Sequence, residues 1–135
     1  MWPLMTGPVK IINSRRKGAG GEREFANLLR GYGYVNAQRG QQFRGSPGSP
    51  DVVGVPGVHF EVKRTNRLKL YEALDQARKD SGLKSIPVVA HRCDGLKGRT
   101  TCRGDWLAIL SFADLAKLLE KAGMGPQPIS IEDFL

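Results

Sequence analysis

The sequence predicts a single α/β domain, on three observations. Its 135 residues, 40% hydrophobic and 25% charged, suffice for one hydrophobic core and are too few for two ordinary domains. Apolar residues recur at helical spacing in three segments and in short or alternating runs in five others. The breaks between them are Gly-, Pro- or Ser-rich, and no repeat or low-complexity tract interrupts the order. No apolar run approaches the ~20 residues that span a bilayer, so a membrane protein is excluded.

Residues 1–13 read as an N-terminal arm, 14–123 as the domain and 124–135 as a C-terminal tail. The arm, broken by Pro3, Gly7 and Pro8, lacks the basic lead and apolar run of a secretory leader, and a cytoplasmic location is expected. SRRKGAGG is a basic, Gly-rich approach to a helix from Gly21 to Arg30 or Tyr32, whose inward stripe is Phe25, Leu28, Leu29 and Tyr32. Glu22 falls near that stripe, whereas Glu24 is placed for solvent or an ion pair. A short strand is predicted over 34–38, and GQQFRGSPGSP is a loop. Strands follow at 51–55 and 58–63 around Pro56-Gly57, a turn signal. In the second strand, period two puts Glu61 and Lys63 on one face.

The stretch 68–80 reads as a helix with Leu70, Ala73, Leu74 and Ala77 inward and Lys69, Arg78 and Lys79 outward. Strands are predicted at 86–91 and 106–110, with a polar loop between. The last helix has an N-terminal cap in Ser111 and Asp114, a stripe of Phe112, Leu115, Leu118 and Leu119, and a stop at Gly123. In the tail, Ile129, Ile131 and Phe134 are candidates for docking. Cys93 and Cys102, with His91 near, offer a disulfide or three of the four ligands zinc usually wants; free thiols in a reducing compartment are the preferred reading.

The net charge is +8, and it is lopsided. Up to Pro50 there are eight basic residues, Lys10, Arg15, Arg16, Lys17, Arg23, Arg30, Arg39 and Arg44, against Glu22 and Glu24. Such a surface gains affinity for a polyanion by releasing its counterions, which points to nucleic acid.

Against this background Asp51, Glu61 and Lys63 are anomalous, because charges on core-seeking strands cost several kcal/mol or more unless paired, metal-bound or chemically employed. Phosphodiester hydrolysis needs an electrophilic ion for transition-state charge and a water made nucleophilic at neutral pH. Asp51 and Glu61 with one backbone carbonyl suit Mg²⁺, which takes oxygen ligands at about 2.0 to 2.1 Å and retains waters. Lys63 can orient or help deprotonate the attacking water, or neutralise developing charge.

With Pro50-Asp51, nine intervening residues and Glu61-Val62-Lys63, the chain resembles the PD-(D/E)xK nuclease superfamily. RRKGAGGEREFANLL is similar to the opening of its archaeal-type Holliday junction resolvases, found also in phages, and the likeness covers roughly residues 15–92. The resemblance implies a restriction-endonuclease-like core with a mixed sheet, a homodimer, Mg²⁺ dependence with Mn²⁺ as a substitute, and cleavage of four-way DNA junctions in recombination and repair. It implies catalytic roles for Glu22, Asp51, Glu61 and Lys63, with Glu22, Asp51 and Glu61 on the metal, and sets Gln76 either near the site or on the helix surface. Arg15, Arg16, Lys17, Arg39, Arg44 and Arg64 are expected phosphate contacts, with Ser46 or Ser49 as the phosphate-binding serine of the loop. The rivals are another nuclease of the same superfamily and a catalytically idle DNA-binding module.

One expectation is geometric. A regular two-residue hairpin at Pro56-Gly57 would pair Val53 with Phe60 and send Asp51 to the face opposite Glu61. The two carboxylates converge only if the register shifts by one, through an odd loop or a bulge, which Gly54 or Gly57 accommodates.

Overall fold

The computed structural model describes residues 14–40, 50–95 and 104–135, with side chains at 14–17 and 133 outside the description. Along them run α1 (Ser14–Gly31), β1 (Gln38–Arg39), β2 (Val52–Val53), β3 (Val58–Arg64), α2 (Leu70–Ser81), β4 (Ile86–Arg92), β5 (Leu107–Ile109), α3 (Phe112–Lys121) and a 3-10 helix over Ile131–Phe134. The N-terminal arm, Arg44, Ser46, Ser49 and Cys102 lie outside the described residues, as do the side chains of Arg15, Arg16 and Lys17.

The five strands form one mixed sheet in the order β1-β2-β3-β4-β5. β3 and β4 are parallel, from Val58 with Ile86 to Arg64 with Arg92, and the other neighbours are antiparallel. Parallel neighbours need a crossover, and α2 provides it. β3 and β4 each hold four consecutive buried residues, as central strands covered on both faces do.

The main core joins α1 to the sheet through Phe25, Ala26, Leu29, Val52, Phe60, Val62, Val88 and Ala90. Phe25 meets Phe60 edge-on at 4.9 Å between ring centroids and Trp106 at 5.1 Å, contacts worth about 0.5–1.5 kcal/mol each beyond their burial. A smaller cluster of Ala73, Ala77 and Val89 seats α2 on the other face, with Leu68, Leu74 and Ile109 beside it.

Several elements differ from expectation. α1 begins at Ser14, so the glycine-rich approach is helical. Gly21 faces β3, and a Cβ there would lie 3.1 Å from Arg64 Cβ, so its glycine permits close packing and does not break the helix. Tyr32 lies past the helix end and is exposed, as are Tyr34 and Val35; a turn at 35–36 interrupts the strand expected at 34–38, of which only Gln38 falls in the two-residue β1. Leu70 and Phe112 each open a helix, where the covering turn is missing, and both are exposed. The cap of α3 forms as expected: Ser111 Oγ accepts from Asp114 N–H at 3.2 Å. At its other end Gly123 and Met124 N–H groups bond back to Glu120 and Leu119 carbonyls, the paired bonds of a glycine stop. Ile129, Ile131 and Phe134 are exposed. No helix among the described residues is long and apolar enough to cross a membrane.

Candidate active site

The hairpin between β2 and β3 sets the site. Val58 N–H bonds to Val55 C=O at 3.3 Å across Pro56-Gly57, yet Val52, not Val53, pairs with Phe60. The register has moved by one residue, and Gly54 lies where it moves, with φ at +110°. A Cβ at Gly54 would also meet the Ala37 backbone at 2.5 Å, so the position excludes other residues on two counts. Continuing the pairing one step beyond Val52 sets Asp51 opposite Glu61, on the same face.

Asp51 immediately precedes β2, and its Oδ2 accepts from Val62 N–H at 2.8 Å, holding the carboxyl against β3. Asp51 is 7% exposed and Glu61 4%. Burial, then the Glu61 charge, then that of Glu22 push the Asp51 carboxyl up to about 7, against the donation from Val62 and the charge of Lys63. Burial likewise raises Glu61, and Lys63 offsets part of the rise. Two buried carboxylates that resist joint ionisation form a donor set a divalent cation would relieve, so these residues fit the ion that the sequence implies.

Lys63 follows Glu61 on the same face. Its Nζ lies 3.2 Å from Glu61 Oε1 and 3.4 Å from Gln76 Oε1, so Gln76 reaches the strand from α2. Lys63 and Gln76 line a cleft of about 200 Å³ together with Thr65, Arg67, Lys69 and Glu72. Glu22 approaches from α1 and pairs with Arg39 at 2.7 Å. Arg64 is held by Glu24 at 3.5 Å and Asp94 at 3.0 Å, and Glu24 also pairs with Arg92. Glu24 is thus a network residue, and two expected phosphate contacts, Arg39 and Arg64, already have carboxylate partners. His91 bonds through Nε2 to Thr65 C=O at 2.7 Å, and Cys93 is buried.

Two further residues were not singled out from the sequence. His59, Glu61 and Asp80 bring ligand atoms that all lie within 4.8 Å of one another, the one such trio among the described residues. This group could hold a metal ion. Glu22, Asp51 and Glu61 do not gather as tightly. His59 precedes Glu61 by two on β3, and Asp80 lies one helical turn beyond Gln76 on α2, so alternation in the strand and a four-residue step in the helix were the signals available. Burial lowers the His59 pKa, which favours neutral imidazole. Comparison with protein-family models, curated proteins and solved structures finds no match to this chain.

Proposed function

We propose that the protein is a divalent-metal-dependent endodeoxyribonuclease with a restriction-endonuclease-like fold, acting as a homodimer to resolve four-way DNA junctions. The observation that carries this reading is the buried Asp51 and Glu61 pair, brought to one face by a shifted register, with Lys63 beside it. A fold that spends stability to bury two carboxylates beside an ammonium that lines a cleft has the parts that phosphodiester hydrolysis requires.

When bound by Asp51 and Glu61, Mg²⁺ or Mn²⁺ supplies charge neutralisation at the phosphate and acidifies a water. The chain's own residues do the rest. Val62 N–H fixes the Asp51 carboxylate. Glu61 and Gln76 hold the Lys63 ammonium at the cleft, where it orients the nucleophile and stabilises charge on the phosphoryl oxygens. Glu22 adds a third carboxylate from α1, and Arg15, Arg16 and Lys17, near the start of the same helix in sequence, are the proposed phosphate contacts. The junction as substrate rests on the resemblance of the α1 sequence.

The test is cleavage of a labelled four-way junction beside linear duplex, single strand and flap, with Mg²⁺, with Mn²⁺ and with chelator. Metal-dependent cleavage, strongest on the junction, is expected. Cleavage that prefers another structure replaces the resolvase with a different nuclease of this fold. Tight DNA binding with no cleavage under either metal leaves an idle binding module.

A further inference from the structure

We propose that His59, Glu61 and Asp80 form a second divalent-cation site, whose nitrogen donor makes it prefer a first-row transition ion over Mg²⁺, with Mn²⁺ as the spectroscopic probe of that class. The Asp51 and Glu61 pair offers only oxygen; this site adds an imidazole and shares Glu61. It goes beyond the nuclease reading and does not require it.

The geometry suits one shared ion. An ion bound at about 2.1 Å spreads its donors over roughly 3 to 4 Å, so three ligand atoms within 4.8 Å need only small side-chain rotations to close on it. β3 supplies two of them from one face, His59 and Glu61, and α2 supplies Asp80 near its C-terminal end. His59 is 4% exposed, and its Nε2 is buried without a hydrogen-bond partner. Among the described residues no hydrogen bond joins the three side chains, and Asp80 has no ion-pair partner. Glu61 alone is compensated, through Oε1 by Lys63, and a carboxylate has a second oxygen to give.

A buried ring nitrogen without a partner costs stability, and two carboxylates set beside it are the wrong neighbours for one another. A cation repairs both faults together, where a water would leave the like charges in place. The donor set decides which cation. Mg²⁺ prefers oxygen and releases its waters reluctantly, whereas imidazole suits later and softer ions of the first row.

The experiment titrates Mn²⁺ into the full chain without DNA, counting bound ions by EPR, and compares wild type with His59→Gln, Asp80→Asn and Asp51→Asn. Wild type should bind two ions. His59→Gln and Asp80→Asn should each lose one and keep the other, and Asp51→Asn should keep the ion that those two lose. Pulsed EPR should show ¹⁴N coupling from the imidazole in wild type and Asp51→Asn. With Mg²⁺, the His59-dependent site should bind at least ~10-fold more weakly. Unchanged Mn²⁺ number and affinity in both His59→Gln and Asp80→Asn, or no ¹⁴N coupling in wild type, overturns the site. If His59→Gln fails to fold, the half-buried Asp80 position and the wild-type coupling still decide. DNA cleavage enters none of these readouts, so a failure of the nuclease reading is seen separately.

Discussion

The two faces of β3 are buried alike and chemically opposed. Phe60 and Val62, turned toward α1, are 8% and 9% exposed; His59 and Glu61, on the alternate face toward α2, are both 4% exposed. The first face meets Phe25, Val52 and Val88 and gains about 25 cal/mol for each Å² of apolar surface removed from water. The second removes a carboxylate and an imidazole from water, and among the described residues Lys63 is the one ion-pair partner it has. One strand therefore separates what holds the fold from what the fold holds, and substitutions on its two sides should fail in different ways.

The largest effect is expected on the α1 face. Phe60→Ala should lose about 3–5 kcal/mol of stability in urea unfolding, through lost burial and the cavity beside Phe25. Next comes the α2 face, where Asp51→Ala, Glu61→Ala and Lys63→Ala should each slow cleavage at least ~100-fold, about 2.7 kcal/mol of transition-state stabilisation. Junction binding should change little, and Glu22→Ala should also be severely impaired. Near-wild-type turnover at saturating metal in any of the first three removes that residue from the site. Equal destabilisation on both sides of β3 would erase the contrast.

A smaller effect has a counterintuitive sign. With its carboxyl raised from 3.8 to about 7, Asp51 binds its proton more tightly folded than unfolded. The folded state then holds more protons across that window, so stability falls as pH rises through it, by up to about 4 kcal/mol from this group. Asp51→Asn should therefore stabilise the chain at pH 8 in chelator, by about 1–3 kcal/mol, and leave it nearly unchanged at pH 4. Adding Mn²⁺ should narrow the gap by stabilising the wild type. Urea midpoints at both pH values decide; no gain at pH 8 would mean that the carboxyl is not strained by its surroundings.

Much of the α1 face was legible because hydrophobic periodicity reports burial directly. The Asp51 and Glu61 pairing was legible for a different reason, since two strands joined at Pro56-Gly57 allow only two face relations and the glycines permit the irregular one. His59 stood in the same alternation as Glu61 and Lys63, but a lone histidine carries no signal until a partner is known. That partner, Asp80, lies on another element, and meeting it depends on how α2 crosses back to β4. Tyr32 and Phe112 show the converse limit: periodicity continues past a helix end or begins before its first full turn, while coverage does not. The rest of the site depends on which charges find each other across elements, as Glu22 finds Arg39 and Arg64 finds Glu24 and Asp94, and residue spacing does not encode that.

The smallest expected effect carries the contrast from β3 into the segment that follows it. Arg64 ends the strand among Glu24 and Asp94, so its charge is already balanced, and reaching a phosphate would mean giving up one or both carboxylates. Arg67, three residues on, lines the cleft with Lys63, is exposed, and has no ion-pair partner among the described residues. Each phosphate neutralised contributes about 0.9 to the slope of log affinity against log salt on duplex DNA. Arg67→Ala should therefore flatten that slope by about one unit on every DNA shape, whereas Arg64→Ala should leave it unchanged, although the sequence marks both as basic residues beside the Glu-x-Lys strand. The salt dependence of junction binding, measured for both variants under chelator so that cleavage does not intervene, separates them. An equal loss of slope would mean that Arg64 exchanges its carboxylates for phosphate on binding, and that the pairing around Glu24 belongs to the free protein alone.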